Sequence, residues 1–85
     1  MIFLIEYHRP EGRIVTFKRF KDSERLKAEK SRLDLELDLN RKGVNHEVVL
    51  LEAASEDALR RTHRRYFESL SQILKSASGG DEWND

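Results

Sequence analysis

Apolar positions along this chain change period several times, and each change marks an element. Residues 2–8 (Ile-Phe-Leu-Ile-Glu-Tyr-His) are mostly β-branched and aromatic, which predicts a strand. Arg9-Pro10-Glu11-Gly12-Arg13 interrupts it. Proline presets φ at the second turn position, and Gly12 can take the positive φ that closes a short hairpin. Residues 13–20 (Arg-Ile-Val-Thr-Phe-Lys-Arg-Phe) then return as a second strand. Pairing Ile5 with Phe17 and Tyr7 with Val15 puts Phe3, Ile5, Tyr7, Val15 and Phe17 on one face. The other face carries Ile2, Leu4, Glu6, Ile14, Thr16, Lys18 and Phe20, and is only half polar.

A helix is predicted from about residue 22 to Lys42. Asp22 or Ser23 can cap its start, and Glu24 suits the positive end of its dipole. Gly43 is the natural left-handed stop, with Val44 placed for the contact that often follows. Within it, Leu33, Leu35, Leu37 and Leu39 alternate with Asp34, Glu36 and Asp38, which is strand periodicity. The helix is preferred because leucine and glutamate favour helices while aspartate is depleted in strands. On a helix, Leu26, Leu33 and Leu37 share one face, and Ala28, Leu35 and Leu39 lie nearly opposite. A helix apolar on two sides needs two partners.

Asn45 to Ala53 contains Glu-Val-Val-Leu-Leu-Glu, a short continuous apolar run expected of an interior strand. Ser55 is a suitable N-cap, and Glu56 and Asp57 fit a first helical turn. A second helix is predicted from about Glu56 to Ala77, with Leu59, Tyr66, Leu70, Ile73 and Ala77 facing the core. Residues 78–85 are small, polar and acidic, and are expected to be a disordered tail. Residues 1–77 then form a single domain.

The order β-β-α-β-α defines an α/β (α+β) fold. A right-handed crossover makes strand three parallel to strand two. Placing strand three beside strand one gives a two-layer domain with a three-stranded mixed sheet, order 2-1-3, and both helices on one face. The other sheet face, with Ile2, Leu4, Ile14 and Phe20, is left without cover. Together with the two-sided helix, that is more apolar surface than a small monomer normally exposes, and a homodimer is the expected remedy.

Composition narrows the function classes. Eighty-five residues suffice for one small core. The absence of cysteine excludes disulfides, zinc–thiolate sites and cysteine nucleophiles, and suits the cytoplasm. The apolar start is too short for a signal peptide or a membrane span, so a soluble, cytoplasmic protein without membrane contact is expected. The formal net charge is zero, so only a local basic patch could attract nucleic acid.

Two such patches are present. Arg60, Arg61, Arg64 and Arg65, with His63 among them, crowd into six residues beside Tyr66 and Phe67. On a helix they form the i, i+4 pairs Arg60/Arg64 and Arg61/Arg65, able to grip neighbouring phosphates while a ring stacks on a base. Charge runs of this kind are ordinarily solvated flanks. Lys18, Arg19 and Lys21, with Arg13, interleave with Phe17 and Phe20 on the second strand, where lysines also guard a sheet edge. His8, His46 and His63 show no metal-ligand spacing within one element, and no serine has a nucleophile-elbow context. His63 and Tyr66 are the residues an acid–base site in a dimer cleft would use. The sequence therefore predicts no catalytic, metal or cofactor site. It predicts a non-catalytic interaction module acting as a homodimer or with a protein partner. The alternative is weak nucleic-acid binding through Arg60, Arg61, Arg64, Arg65, Lys18, Arg19 and Lys21.

Overall fold

The computed structural model describes residues 1–67. Strand β1 (Ile2–His8) leads through a tight turn to β2 (Arg13–Phe20). A 3-10 turn at Asp22–Glu24 opens helix α1 (Arg25–Lys42), followed by β3 (Glu47–Glu52), helix α2 (Glu56–Thr62) and a second 3-10 turn at Arg64–Tyr66. The sheet has the expected order β2-β1-β3. β1 is antiparallel to both neighbours. β3 therefore runs parallel to β2 but never pairs with it, so the sheet is antiparallel throughout rather than mixed.

The central strand explains the layering. Five of the first six residues of β1 are apolar, so both of its faces must be buried. Phe3, Ile5 and Tyr7 pack with Leu59 and Tyr66 on one side. Ile2 and Leu4 pack with Phe20 and Ala28 on the other. The sheet and the long helix α1 form the two layers expected, but the helices do not share a face. α1 covers Ile2 and Leu4, the side read from sequence as open, while α2 and the turn after it cover Phe3 and Ile5.

The hairpin register departs from simple alternation. Ile5 pairs with Phe17 as expected, yet Tyr7 pairs with Ile14 rather than Val15, because the register shifts between Glu6 and Tyr7. The extra residue on β2 is Val15, which is 41% exposed, and Ile14 moves into the core on the Phe3 side. A bulge of this kind rotates one side chain out and the next one in, which a period-two pattern cannot register. Gly12, at φ 62°, closes the turn by donating its N–H to the carbonyls of His8 and Arg9.

α1 is continuous through the ambiguous residues 33–39. Only one of its two leucine sets is covered: Ala28 and Leu39 are buried and Leu35 is half-buried against β3, whereas Leu33 and Leu37 stay exposed. Neither Asp22 nor Ser23 caps the start. The Glu24 carboxylate instead accepts from the Lys21 backbone N–H at 2.8 Å. The end is as expected: Gly43 is left-handed at φ 70°, and Val44 N–H donates to the Leu39 carbonyl at 2.9 Å.

α2 begins as expected, with Ala58 N–H donating to Ser55 Oγ at 3.1 Å. It then stops at Thr62, and His63 leaves helical geometry at φ −126°, ψ 51°. Thr62 Oγ1 donates back to the Ala58 carbonyl at 2.9 Å, a bond that competes with regular helix propagation. The break lets Tyr66 enter the core beside Tyr7. The expected continuation through Leu70, Ile73 and Ala77, and the acidic tail 78–85, lie outside the described residues.

Candidate functional site

The break at His63 dissolves both arginine pairs. Arg60 donates from Nε and Nη2 to Glu56 Oε2 at 3.1 and 2.8 Å, and its guanidinium lies 4.6 Å over the Phe67 ring. Arg65 turns the other way. It lies 4.3 Å over the Tyr66 ring and donates to Glu47 at 3.2 Å. Arg61 and Arg64 are exposed. Lys18 and Arg19 on β2, and Lys21 just after it, are exposed too, but Lys18 and Arg19 are strand neighbours and project to opposite faces.

The two basic features do meet, at a carboxylate. Arg19 Nη1 donates to Glu56 Oε1 at 3.0 Å, while Arg60 holds Oε2 of the same group. Arg19, Arg60 and Arg65 are thus neutralised within the chain. Lys18 therefore does not share a surface with Arg19 and Arg60.

A second constellation, at the hairpin end of the sheet, was not legible beforehand. Glu6 is the single charged residue of β1, and it is buried. It accepts from Thr16 Oγ1 at 2.7 Å and from His46 Nδ1 at 2.5 Å. Burial pushes the Glu6 carboxyl up, but the bonds from His46 and Thr16 outweigh it and hold the group below the usual carboxylate range. The His46 ring stands edge-on to His8, with centroids 5.0 Å apart. His8 Nδ1 is 3.2 Å from a Glu11 oxygen, yet off the hydrogen-bonding direction, so the nitrogen has no aligned partner.

Glu47, next to His46, collects donors from three side chains, two in the 3-10 turn Arg64–Tyr66 and one in the β1–β2 turn. Tyr66 OH donates at 2.5 Å, Arg9 Nε at 2.9 Å and Arg65 Nη2 at 3.2 Å. The tyrosine bond is the main influence holding Glu47 below its usual range, against the opposing effect of burial. Tyr7 OH donates to the Arg65 carbonyl at 3.0 Å, and its ring meets Tyr66 edge to face at 5.0 Å. A cavity of about 370 Å³ beside this network is lined, among the described residues, by Arg9, Pro10, Asn45, His46 and Glu47. Its acids and hydroxyls are already engaged with one another. His63, half-buried, lies 6.4 Å from Tyr66 ring to ring, and the tyrosine hydroxyl faces Glu47. Among the described residues no cluster of three potential ligands could hold a metal ion. The charged residue inside an apolar strand was the usable sequence signal, because buried carboxylates need donors; its partner, forty positions on, was not.

The third feature is the outer face of α1. Leu26, Leu33 and Leu37 are 83%, 52% and 55% exposed. At about 100° per residue they fall, with Lys30, within an arc of roughly 60° diametrically opposite Ala28, Leu35 and Leu39. A cleft of about 500 Å³ at one end of this stripe is lined, among the described residues, by Asp34, Leu37 and Arg41.

Comparison with protein families, curated proteins and solved structures returns no match. Among the described residues, no helix is long and apolar enough to cross a membrane.

Proposed function

We propose that this chain is a small cytoplasmic interaction module without a catalytic role, acting as a homodimer through the outer face of α1. The observation that carries this reading is the exposed stripe Leu26, Leu33 and Leu37 opposite the helix's buried face. Burying a leucine fully contributes about 1.5–3 kcal/mol, so a partner covering three of them gains a useful driving force. The sheet's two faces are already occupied by α1 and by α2 with its following turn. That leaves the helix, and not the sheet, as the meeting surface. Support for a non-catalytic role comes from the hairpin-end network, whose carboxylates are each held by two or more donors. The nucleic-acid alternative is weakened because Arg19, Arg60 and Arg65 already serve Glu56 and Glu47.

Light scattering across the micromolar range, with fluorescence anisotropy of single- and double-stranded oligonucleotides at low salt, tests the choice. A mass near twice the 10.0 kDa of the chain, without oligonucleotide binding, supports the module. A monomer at every concentration overturns it, and salt-sensitive oligonucleotide binding favours the alternative.

A further inference from the structure

Resting on that reading, we infer that the second copy docks antiparallel along α1, setting Leu26 of each copy against Leu37 of the other and Lys30 against Leu33. The spacing Leu26–Lys30–Leu33–Leu37 runs four, three, four. Alternating threes and fours generate the seam of a packed helix pair. This seam also reads the same in both directions. A two-fold axis between Lys30 and Leu33 therefore brings identical surfaces into register, as a closed dimer requires.

Charge selects the antiparallel sense. From Arg25 to Arg32 there are four bases and one acid, Glu29, whereas from Asp34 to Lys42 there are three acids, Asp34, Glu36 and Asp38, and two bases, Arg41 and Lys42, both of which pair with Asp38. Bases in the first half of a helix oppose its own dipole; of the four, Arg25 and Lys27 pair within the chain, with Glu52 and Glu24. Lys30, Arg32, Asp34 and Glu36 make no ion pair among the described residues, although Lys30 and Asp34, like Arg32 and Glu36, are four positions apart. In an antiparallel pair Lys27 and Lys30 of each copy approach Asp34 of the other, which outweighs the single like-charge approach of Glu29 to Glu36. A parallel pair in register would set Lys30 against Lys30 on the seam.

Shape agrees with charge. Leu26 is the most exposed of the three leucines, and in this register it points to the cleft that Asp34, Leu37 and Arg41 line on the other copy. α1 has 18 residues, so at 1.5 Å per residue the seam is about 27 Å long. That length and three leucines per copy place the contact at the small end of specific interfaces. Lys30 sets the register at some cost in affinity, as a lone polar residue on a seam does.

The chain has no cysteine, which makes disulfide mapping direct. Leu26→Cys and Leu37→Cys each replace an exposed side chain, leaving the core intact. The two full-length variants are mixed, one of them uniformly 15N-labelled so that the mixed disulfide has an intermediate mass, and oxidised with diamide. Light scattering of the unmodified protein runs alongside. The antiparallel register predicts the mixed species forming about tenfold faster than either self-disulfide, because only that pair meets disulfide geometry. Preferential self-disulfides, or a dimer by scattering with no enrichment at either position, overturn the register while the dimer stands. A monomer by scattering with only random pairing overturns the register and the dimer together.

Discussion

Glu6 and His46, forty positions apart, join at 2.5 Å at the hairpin end of the sheet, under the same α1-facing side that buries Ile2 and Leu4. The carboxylate sits within an otherwise apolar strand and gains its donors from β2 and from the loop before β3. Such a pair locks strand register, because a one-residue slip would leave the acid buried without a donor.

Glu6→Ala leaves the His46 ring and the Thr16 hydroxyl without their acceptor. Removing one partner of a buried pair typically costs about 3–5 kcal/mol, and the lower end is expected at the sheet's periphery. Urea denaturation reads this as a lower midpoint with an unchanged slope. A loss under about 1 kcal/mol would mean that the pair is not structural.

Acid should destabilise the fold through Glu6 and Glu47, both held below the ordinary carboxylate range in the folded state. A depressed folded pKa contributes stability that is present above the unfolded value of about 4.3 and is lost as pH falls through the folded value. The urea midpoint should therefore hold steady from about pH 7 to pH 5 and fall below about pH 4. Tyr66→Phe removes the main influence on Glu47, costing about 2 kcal/mol near neutrality, and makes the acid limb shallower. An unchanged acid limb in a Glu6→Gln/Glu47→Gln double variant would assign acid lability to other carboxylates. The exposed Glu11 and Asp22 and the half-exposed Glu24 and Asp38 are also lowered, but solvent screening leaves them little weight.

Gly43→Ala should cost about 1 kcal/mol through backbone conformation alone. Gly43 adopts φ +70°, and an added methyl group would meet no atom within 4 Å. Asparagine, which tolerates the left-handed region, should cost less than alanine at the same position. Thermal melts of the two variants check the order, and equal melting points would place the helix end elsewhere.

Much of the fold was legible because local chemistry and packing agree there. The hairpin with Gly12, the Gly43 stop and the Ser55 cap follow from patterns a few residues long, and the order β2-β1-β3 from placing strand three beside strand one. The failures have physical causes of their own. The near-unbroken apolar run of β1 signals burial on both faces, yet the helices were assigned to one. The bulge at Val15 moves a residue without changing composition. The arginine pairs assumed a helix running past His63, whereas Thr62 and the burial of Tyr66 end it. The Glu6–His46 and Glu47–Tyr66 contacts join segments whose proximity only the folded sheet creates.

Glu56 should act as an internal decoy for the basic surface. It occupies Arg19 and Arg60 at once, so Glu56→Gln releases both guanidinium groups at a stability cost under about 1 kcal/mol. Oligonucleotide anisotropy at low salt should then show weak, salt-sensitive binding by the variant and none by the parent. Equal binding by both would remove Glu56 from the account.

Sedimentation velocity of the parent chain beside Leu33→Glu tests whether the outer face of α1 holds a dimer together. Leu33 is half exposed and outside the core, so the substitution should leave the circular dichroism spectrum intact while placing a charge in the seam. The parent should move from monomer toward dimer across the micromolar range while Leu33→Glu stays monomeric. Identical sedimentation of the two at every concentration would contradict a dimer built on the outer face of α1.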